Sequence, residues 1–277
     1  MRVLILGGTG ATGPFAVRRL CDLGHQVTVF HRGEHEADLP DGVRHIHGSL
    51  ADPPSELRHA GADVVVHMRA MTQADAAQFL DLFRGAARAV VISSCDVYRA
   101  YGRLLRREPG PPDAIPLTED SPLRASRFPY DDDYDKIPVE ETLRAQSDLP
   151  VTVLRYPAVY GRLDGKRFGP YVQQMAEGAA EIRLPEDFAA WRWTHGFAGD
   201  VAEAVVLAVT KDGAANRTYN VGEASTPTWK ERVEWLGRMQ AWRGSVVTVP
   251  AEDSTYDYRH HLVVDSRRIR EELGYTG

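Results

Sequence analysis

Residues Gly7-Gly8-Thr9-Gly10-Ala11-Thr12-Gly13 carry the plainest chemical signal in the chain. They satisfy G-x-G-x-x-G through Gly8, Gly10 and Gly13, and G-x-x-G-x-x-G through Gly7, Gly10 and Gly13. An apolar run, Val3–Leu6, precedes them and a helical pattern, Phe15–Leu23, follows. Glycines in that position allow a tight turn and let backbone approach a pyrophosphate, while the helix N-terminus offers free N–H groups and the positive end of its dipole. The strand–turn–helix context turns a weak pattern into a dinucleotide site. After the second apolar run, Val27–Phe30, the chain reads His31-Arg32-Gly33. NAD sites usually place an acidic residue there for the ribose 2′-hydroxyl, whereas an arginine suits a 2′-phosphate through paired, charge-assisted bonds. Arg32 therefore favours NADP(H) over NAD(H); in the opposite case Glu34 or Glu36 meets the ribose.

Such a turn needs a sheet to hold it. Runs that are apolar throughout recur at Val64–His67, Ala89–Ile92 and Val151–Leu154, with a weaker one at Val43–His47. Unbroken apolarity suits strands buried on both faces of a parallel sheet. Alternation with helical patterns predicts an α/β fold: a Rossmann-type doubly wound parallel sheet with a small C-terminal substrate lobe. Residues 1–155 and 194–222 are assigned to the dinucleotide-binding domain, and 156–193 and 223–277 to the lobe. Segment 99–128, with Pro109-Gly-Pro-Pro-Asp113 inside it, breaks the rhythm and reads as a lid or loop insertion. Trp191, Trp193, Trp229, Trp235 and Trp242 all fall in the C-terminal part, where they read as lobe core before substrate wall. A helix is expected over Asp200–Val209 with Asp200 as its N-cap.

Composition removes several function classes. A net charge of −6 over 277 residues, with scattered basic residues, argues against nucleic-acid binding. The densest basic group, Arg103, Arg106 and Arg107, reads as a solvated face. Two cysteines, Cys21 and Cys95, give neither a disulfide framework nor metal-ligand spacing, which suits a reducing cytoplasm. No run approaches the roughly 18 apolar residues of a membrane span, and the N-terminal apolar run is too short for a signal peptide. The expected partner is a small-molecule substrate.

Further landmarks follow in order: Asp63-Val-Val-Val-His67, Val90-Val-Ile-Ser-Ser-Cys-Asp-Val-Tyr98, Arg155-Tyr-Pro-Ala-Val-Tyr-Gly161, Thr218-Tyr-Asn-Val-Gly222 and Val264–Gly274. With the glycine turn, they make nearly the whole chain similar to the extended short-chain dehydrogenase/reductases, the NAD-dependent epimerase/dehydratase family. The resemblance implies that Ser94 is the active-site serine and that Lys136, followed by Glu140, is the active-site lysine. It implies that Met68 and Arg69 run beside the cofactor, that Ser49 and Leu50 sit at the adenine end, and that Tyr156, Pro157 and Val159 line the nicotinamide. Ser49 replaces the family's usual acidic residue, and Arg69 stands where relatives have a small one. In such enzymes hydride moves at the nicotinamide, a tyrosine is general acid or base, the lysine lowers its pKa, and the serine orients the carbonyl. Family members are commonly dimers, so a homodimer is expected.

The family's Tyr-x-x-x-Lys pattern is broken. Asp132 stands four residues before Lys136, and Tyr130 and Tyr134 flank that place. Inside a helix, residues two apart point to nearly opposite sides, so Tyr134 and Lys136 would not cooperate. Pro138 is a helix-start signal. A helix beginning near Ile137 leaves both residues in an extended or turn segment, which puts Tyr134 ahead of Tyr130. Other candidate proton donors are Asp96, Tyr98 and His195; a structural role competes with catalysis for His195, and Asp131–Asp133 reads as a solvated acidic turn. Three functions follow: an NADP(H)-dependent oxidoreductase acting on a small-molecule ketone or alcohol; alternatively, an NAD(P)-dependent sugar epimerase or dehydratase; alternatively, a non-catalytic NADP-binding module.

Overall fold

A computed structural model describes residues 1–128, 133–162, 164–165, 167–251 and 253–277. In chain order the elements are β1 (Arg2–Leu6), α1 (Gly13–Asp22), β2 (Gln26–His31), β3 (Arg44–His47), α2 (Ser55–Arg58), β4 (Val64–His67), α3 (Gln73–Phe83) and β5 (Arg88–Ser94). There follow α4 (Arg99–Leu104), α5 (Lys136–Arg144), β6 (Val151–Tyr156), β7 (Ala158–Tyr160), α6 (Gly169–Ala176), β8 (Glu181–Pro185), α7 (Glu186–Ala190) and β9 (His195–Phe197). The last are α8 (Ala198–Thr210), β10 (Thr218–Asn220), α9 (Trp229–Met239), β11 (Ser245–Val249) and α10 (Arg267–Leu273).

The main sheet has seven strands, all parallel, in the order β3-β2-β1-β4-β5-β6-β10. Strand order reverses between β1 and β4, which opens a crevice at their C-terminal ends, the usual ligand position in such sheets. Side chains alternate across a strand. Val3 and Ile5 of β1 therefore join the core under α1 and α8, while Leu4 and Leu6 join the core under α3 and α5. Both faces are covered, so apolar residues occupy every position of β1 from Val3 onward, and of β4 up to His67. This is the physical reason the strands were legible as unbroken apolar runs.

A third core lies beyond the sheet. It joins Ile182, Leu184, Trp191, Trp229 and Leu262 to Cys95, Val97 and Tyr98, which directly follow β5. Trp191 and Trp229 are buried within it, as expected of lobe core, while Trp235 is exposed.

The structure differs from sequence expectation in segment 99–128, at Arg103 and at the start of α8. Segment 99–128 opens with α4 and is fastened along its length: Arg99 and Arg103 pair with Asp113, Glu108 accepts from Ser126, and Arg124 pairs with Asp135. Arg103 is thus a nearly buried ion-pair partner and not part of a solvated face. Helix α8 starts at Ala198 with Phe197 at the N-cap, so Asp200 sits in the first turn, where its charge still meets the helix dipole.

Candidate active site

The turn between β1 and α1 puts Gly7 and Gly8 at φ +98° and +89°, a region L side chains avoid. A Cβ on Gly13 would lie 2.2 Å from the Gly8 carbonyl oxygen, so only glycine lets α1 begin this close to the strand. Thr12 holds the N-cap without a side-chain capping bond, which leaves the first-turn amides of α1 available to an anion. These features fit a bound dinucleotide pyrophosphate.

The turn opens on a cleft of about 480 Å³. Gly7, Thr9, Arg32, Ser49, Leu50 and Arg69 line it, all singled out from sequence. The structure adds residues to which sequence reading gave no role, including His31, His67, Met71 and Asp75; His31 and His67 arrive as the last residues of β2 and β4, and Met71 and Asp75 with the start of α3. Gly8 packs internally, its absent Cβ position 3.1 Å from Ile5 and 3.2 Å from Val29. Gly10 and Ala11 form the exposed tip. Met68 is tied by its amide to the Leu6 carbonyl. Tyr156, Pro157 and Val159 are not among the cleft's lining residues: the buried Tyr156 hydroxyl lies beside Thr12, and Val159 pairs with Gly196 across β7 and β9. Arg32 pairs with Glu34 at 2.7 Å, and both are half exposed.

Beyond the cleft, a polar cluster gathers at the end of β5. Ser94 closes that strand, and its hydroxyl accepts from the Asp96 amide at 3.2 Å. The Tyr134 hydroxyl donates to Asp96 Oδ2 at 2.6 Å and lies beside Ser94. Asp96 Oδ1 is buried with no hydrogen-bond partner. The Lys136 ammonium sits 5.3 Å from the Tyr134 ring centre and donates to the Ala70 carbonyl at 2.6 Å and the Ile92 carbonyl at 3.3 Å. It thereby ties the loop after β4 to β5.

Local capping explains how Tyr134 and Lys136 meet. Helix α5 begins at Lys136, and Asp135 caps it in an extended conformation, accepting from the Ile137 amide. The same carboxylate accepts from the Phe128 amide and from Arg124. Tyr134 therefore precedes the helix, where helical spacing does not govern its direction. Sequence reading placed the start near Ile137, one residue later. Tyr130, Asp131 and Asp132 lie outside the described residues.

Burial dominates the electrostatics. It raises the Tyr134 hydroxyl, with the Asp96 carboxylate adding to the effect, and it raises the Asp96 carboxyl. It pulls the Lys136 ammonium down to about 8, against the attraction of Asp96, Asp75 and Glu140.

Two other candidates sit elsewhere. The Tyr98 hydroxyl donates to Asn220 at 2.6 Å and accepts from Arg155 at 3.0 Å. It belongs to a buried frame in which Arg155 makes a two-pronged pair with Glu140 at 2.9 and 2.8 Å, and Ser93 donates to Glu140 at 2.6 Å. His195 is buried among Phe168, Trp193 and Trp229, with Nδ1 2.7 Å from the Trp193 carbonyl and Nε2 without a partner. Burial, then the charge of Arg232, lowers it to about 3, so it is neutral.

A parallel sheet of this order, with a glycine turn at its switch point, defines a Rossmann-type dinucleotide-binding fold. The sequence model of the NAD dependent epimerase/dehydratase family matches residues 3–222, and the chain belongs to that family. It is an NAD(P)-dependent oxidoreductase or epimerase. The chain is 30% identical over 265 residues to the 2′-dehydrokanamycin reductase of Streptomyces kanamyceticus, covering 91% of this chain and 70% of that one. It is 27% identical over 307 residues to the UDP-glucose 4-epimerase of Corynebacterium glutamicum, covering 100% and 91%. Among solved structures, the Bordetella bronchiseptica enzyme WbmG in complex with NAD and UDP shares the fold, with a TM-score of 0.77 at 19% identity over 100% of this chain and 90% of that one. Among the described residues, no helix is long and apolar enough to cross a membrane.

Proposed function

We propose that the protein is an NADP(H)-dependent oxidoreductase that moves hydride to or from a small-molecule ketone or alcohol. One observation carries this reading: the Tyr134 hydroxyl is held beside Ser94, 2.6 Å from Asp96, with the Lys136 ammonium 5.3 Å from its ring. When bound, the nicotinamide supplies or accepts the hydride. The chain's own residues do the rest. Ser94 orients the carbonyl oxygen, Tyr134 gives that oxygen a proton, and the charge of Lys136 favours the tyrosinate left behind. The turn from Gly7 to Gly13 holds the pyrophosphate, Ser49 and Leu50 face the adenine, and Met68, Arg69, Tyr156, Pro157 and Val159 flank the nicotinamide half. Similarity to the S. kanamyceticus reductase supports the reductase direction.

Arg32 supports NADP(H). Its pair with Glu34 is half exposed, and such pairs are worth about 0–1 kcal/mol, so a 2′-phosphate displaces Glu34 readily. Fluorescence titration with NADPH and NADH, after a check for cofactor carried through purification, tests this. NADPH is expected to bind at least about tenfold tighter, and Arg32→Ala to remove that preference while leaving NADH affinity unchanged. NADH preference indifferent to Arg32 would overturn the NADP reading. The full-length similarity to an epimerase favours a second reading, sugar epimerisation; NAD that co-purifies and resists removal would bring it forward.

A further inference from the structure

We infer that His31, His45, His47 and Glu36 form a site for one divalent late first-row transition metal, such as Zn²⁺, at the outer rim of the cofactor cleft. Strand geometry assembles it. β3 pairs in parallel with β2 in a register that sets His31 opposite His47, and His45 lies two residues before His47, on the same face. Glu36 comes from the connection between the two strands. The four potential ligand atoms all lie within 4.8 Å of one another. His31 Nε2 is 3.0 Å from His45 Nδ1, and His47 Nε2 is 3.3 Å from Glu36 Oε1. Glu36 Oε2 is 3.9 Å from both His31 Nε2 and His45 Nδ1. Four ligands around zinc at about 2.0–2.1 Å stand about 3.3 Å apart, and these gaps bracket that value.

The donor set selects the ion. Three imidazoles and one carboxylate suit zinc, cobalt, nickel or copper, whereas magnesium and calcium want oxygen. The cluster has a buried floor and an open side: the His31 side chain is 5% exposed, those of His47 and Glu36 53% and 60%. An ion can reach it from solvent. Binding at His31 Nε2 moves the ring proton to Nδ1, which gives up a bond of 3.3 Å from the Gly33 amide. That single weak bond is small beside four metal–ligand bonds.

The test uses the full chain without a histidine tag, stripped with a chelator. Zn²⁺ titrated by calorimetry should bind with one-to-one stoichiometry, and Co²⁺ should give the intense visible absorption of a tetrahedral site. His45→Gln and His47→Gln lie on the sheet's edge strand and are partly exposed, so folding, checked by circular dichroism, is expected to survive. Each should weaken Zn²⁺ by at least about 100-fold, more than loss of an outer-shell partner usually does. His59→Gln, outside the cluster, should change nothing. Absence of saturable binding, an octahedral cobalt spectrum, or binding that survives both cluster substitutions overturns the assignment.

Discussion

The Tyr134 hydroxyl donates to the Asp96 carboxyl group across 2.6 Å. That contact is at odds with the simplest account of a tyrosine acid, because the tyrosinate left after proton transfer would face a carboxylate. The conflict disappears if Asp96 is itself protonated and passes its proton to Tyr134, and burial raises Asp96 in that direction. Tyr134→Phe is expected to cost about 10²–10⁴ in kcat while leaving cofactor affinity nearly intact; an unchanged rate retires Tyr134. The sign of the pH effect follows from Asp96. Its protonated form persists above the ordinary carboxyl range and is lost as pH rises through the raised value, so reduction slows on that limb. Asp96→Asn cannot lose a proton and should abolish that limb in a plot of kcat/KM against pH. A profile identical to wild type would remove Asp96 from the relay.

At the scale of elements, the Glu140–Arg155 pair joins α5 to β6 inside the core. Both side chains are buried, and Arg144, Ser93 and Tyr98 complete their bonds. Removing one partner leaves an uncompensated buried charge, so Glu140→Leu should lower unfolding free energy by about 3–5 kcal/mol. Glu140→Leu with Arg155→Met should cost less than Glu140→Leu alone, as read from urea denaturation, and a larger loss in the double variant would contradict this. These elements differ in how well sequence alone shows them. β1 and β4 were readable because two buried faces demand apolar residues throughout. The glycine turn was readable because few other sequences permit it. The start of α5 was readable to within one residue from Pro138, but its cap at Asp135 was not, because that carboxylate is tied by Arg124 and the Phe128 amide, which reach it from the preceding long segment. α4 was missed because six residues with an internal glycine make no clear helical period. His67 and Asp75 join the site only through the way the sheet and α3 place them.

Over the whole molecule, acid acts most strongly, among the buried imidazoles described, through two. His67 and His195 are fully buried, and burial lowers each to about 3, well below the ordinary value near 6.5. Below pH 6.5 the unfolded chain takes up protons that the folded chain refuses, so stability falls as pH falls from there toward 3. Between pH 6.5 and 5 each histidine withdraws about 2 kcal/mol. The melting temperature should drop over that interval, and His195→Gln should flatten the drop; an unchanged slope would mean that His195 is charged or solvated in the fold. The third core has a mechanical meaning. Cys95, Val97 and Tyr98 follow β5 and enter the same apolar cluster as Trp191, Trp229 and Leu262. Any jaw-like opening between β5 and these residues would have to expose that apolar seam next to Ser94. The expected consequence is that substrate enters past surface segments, around a packed frame that keeps Ser94 at one distance from Trp191 and Trp229.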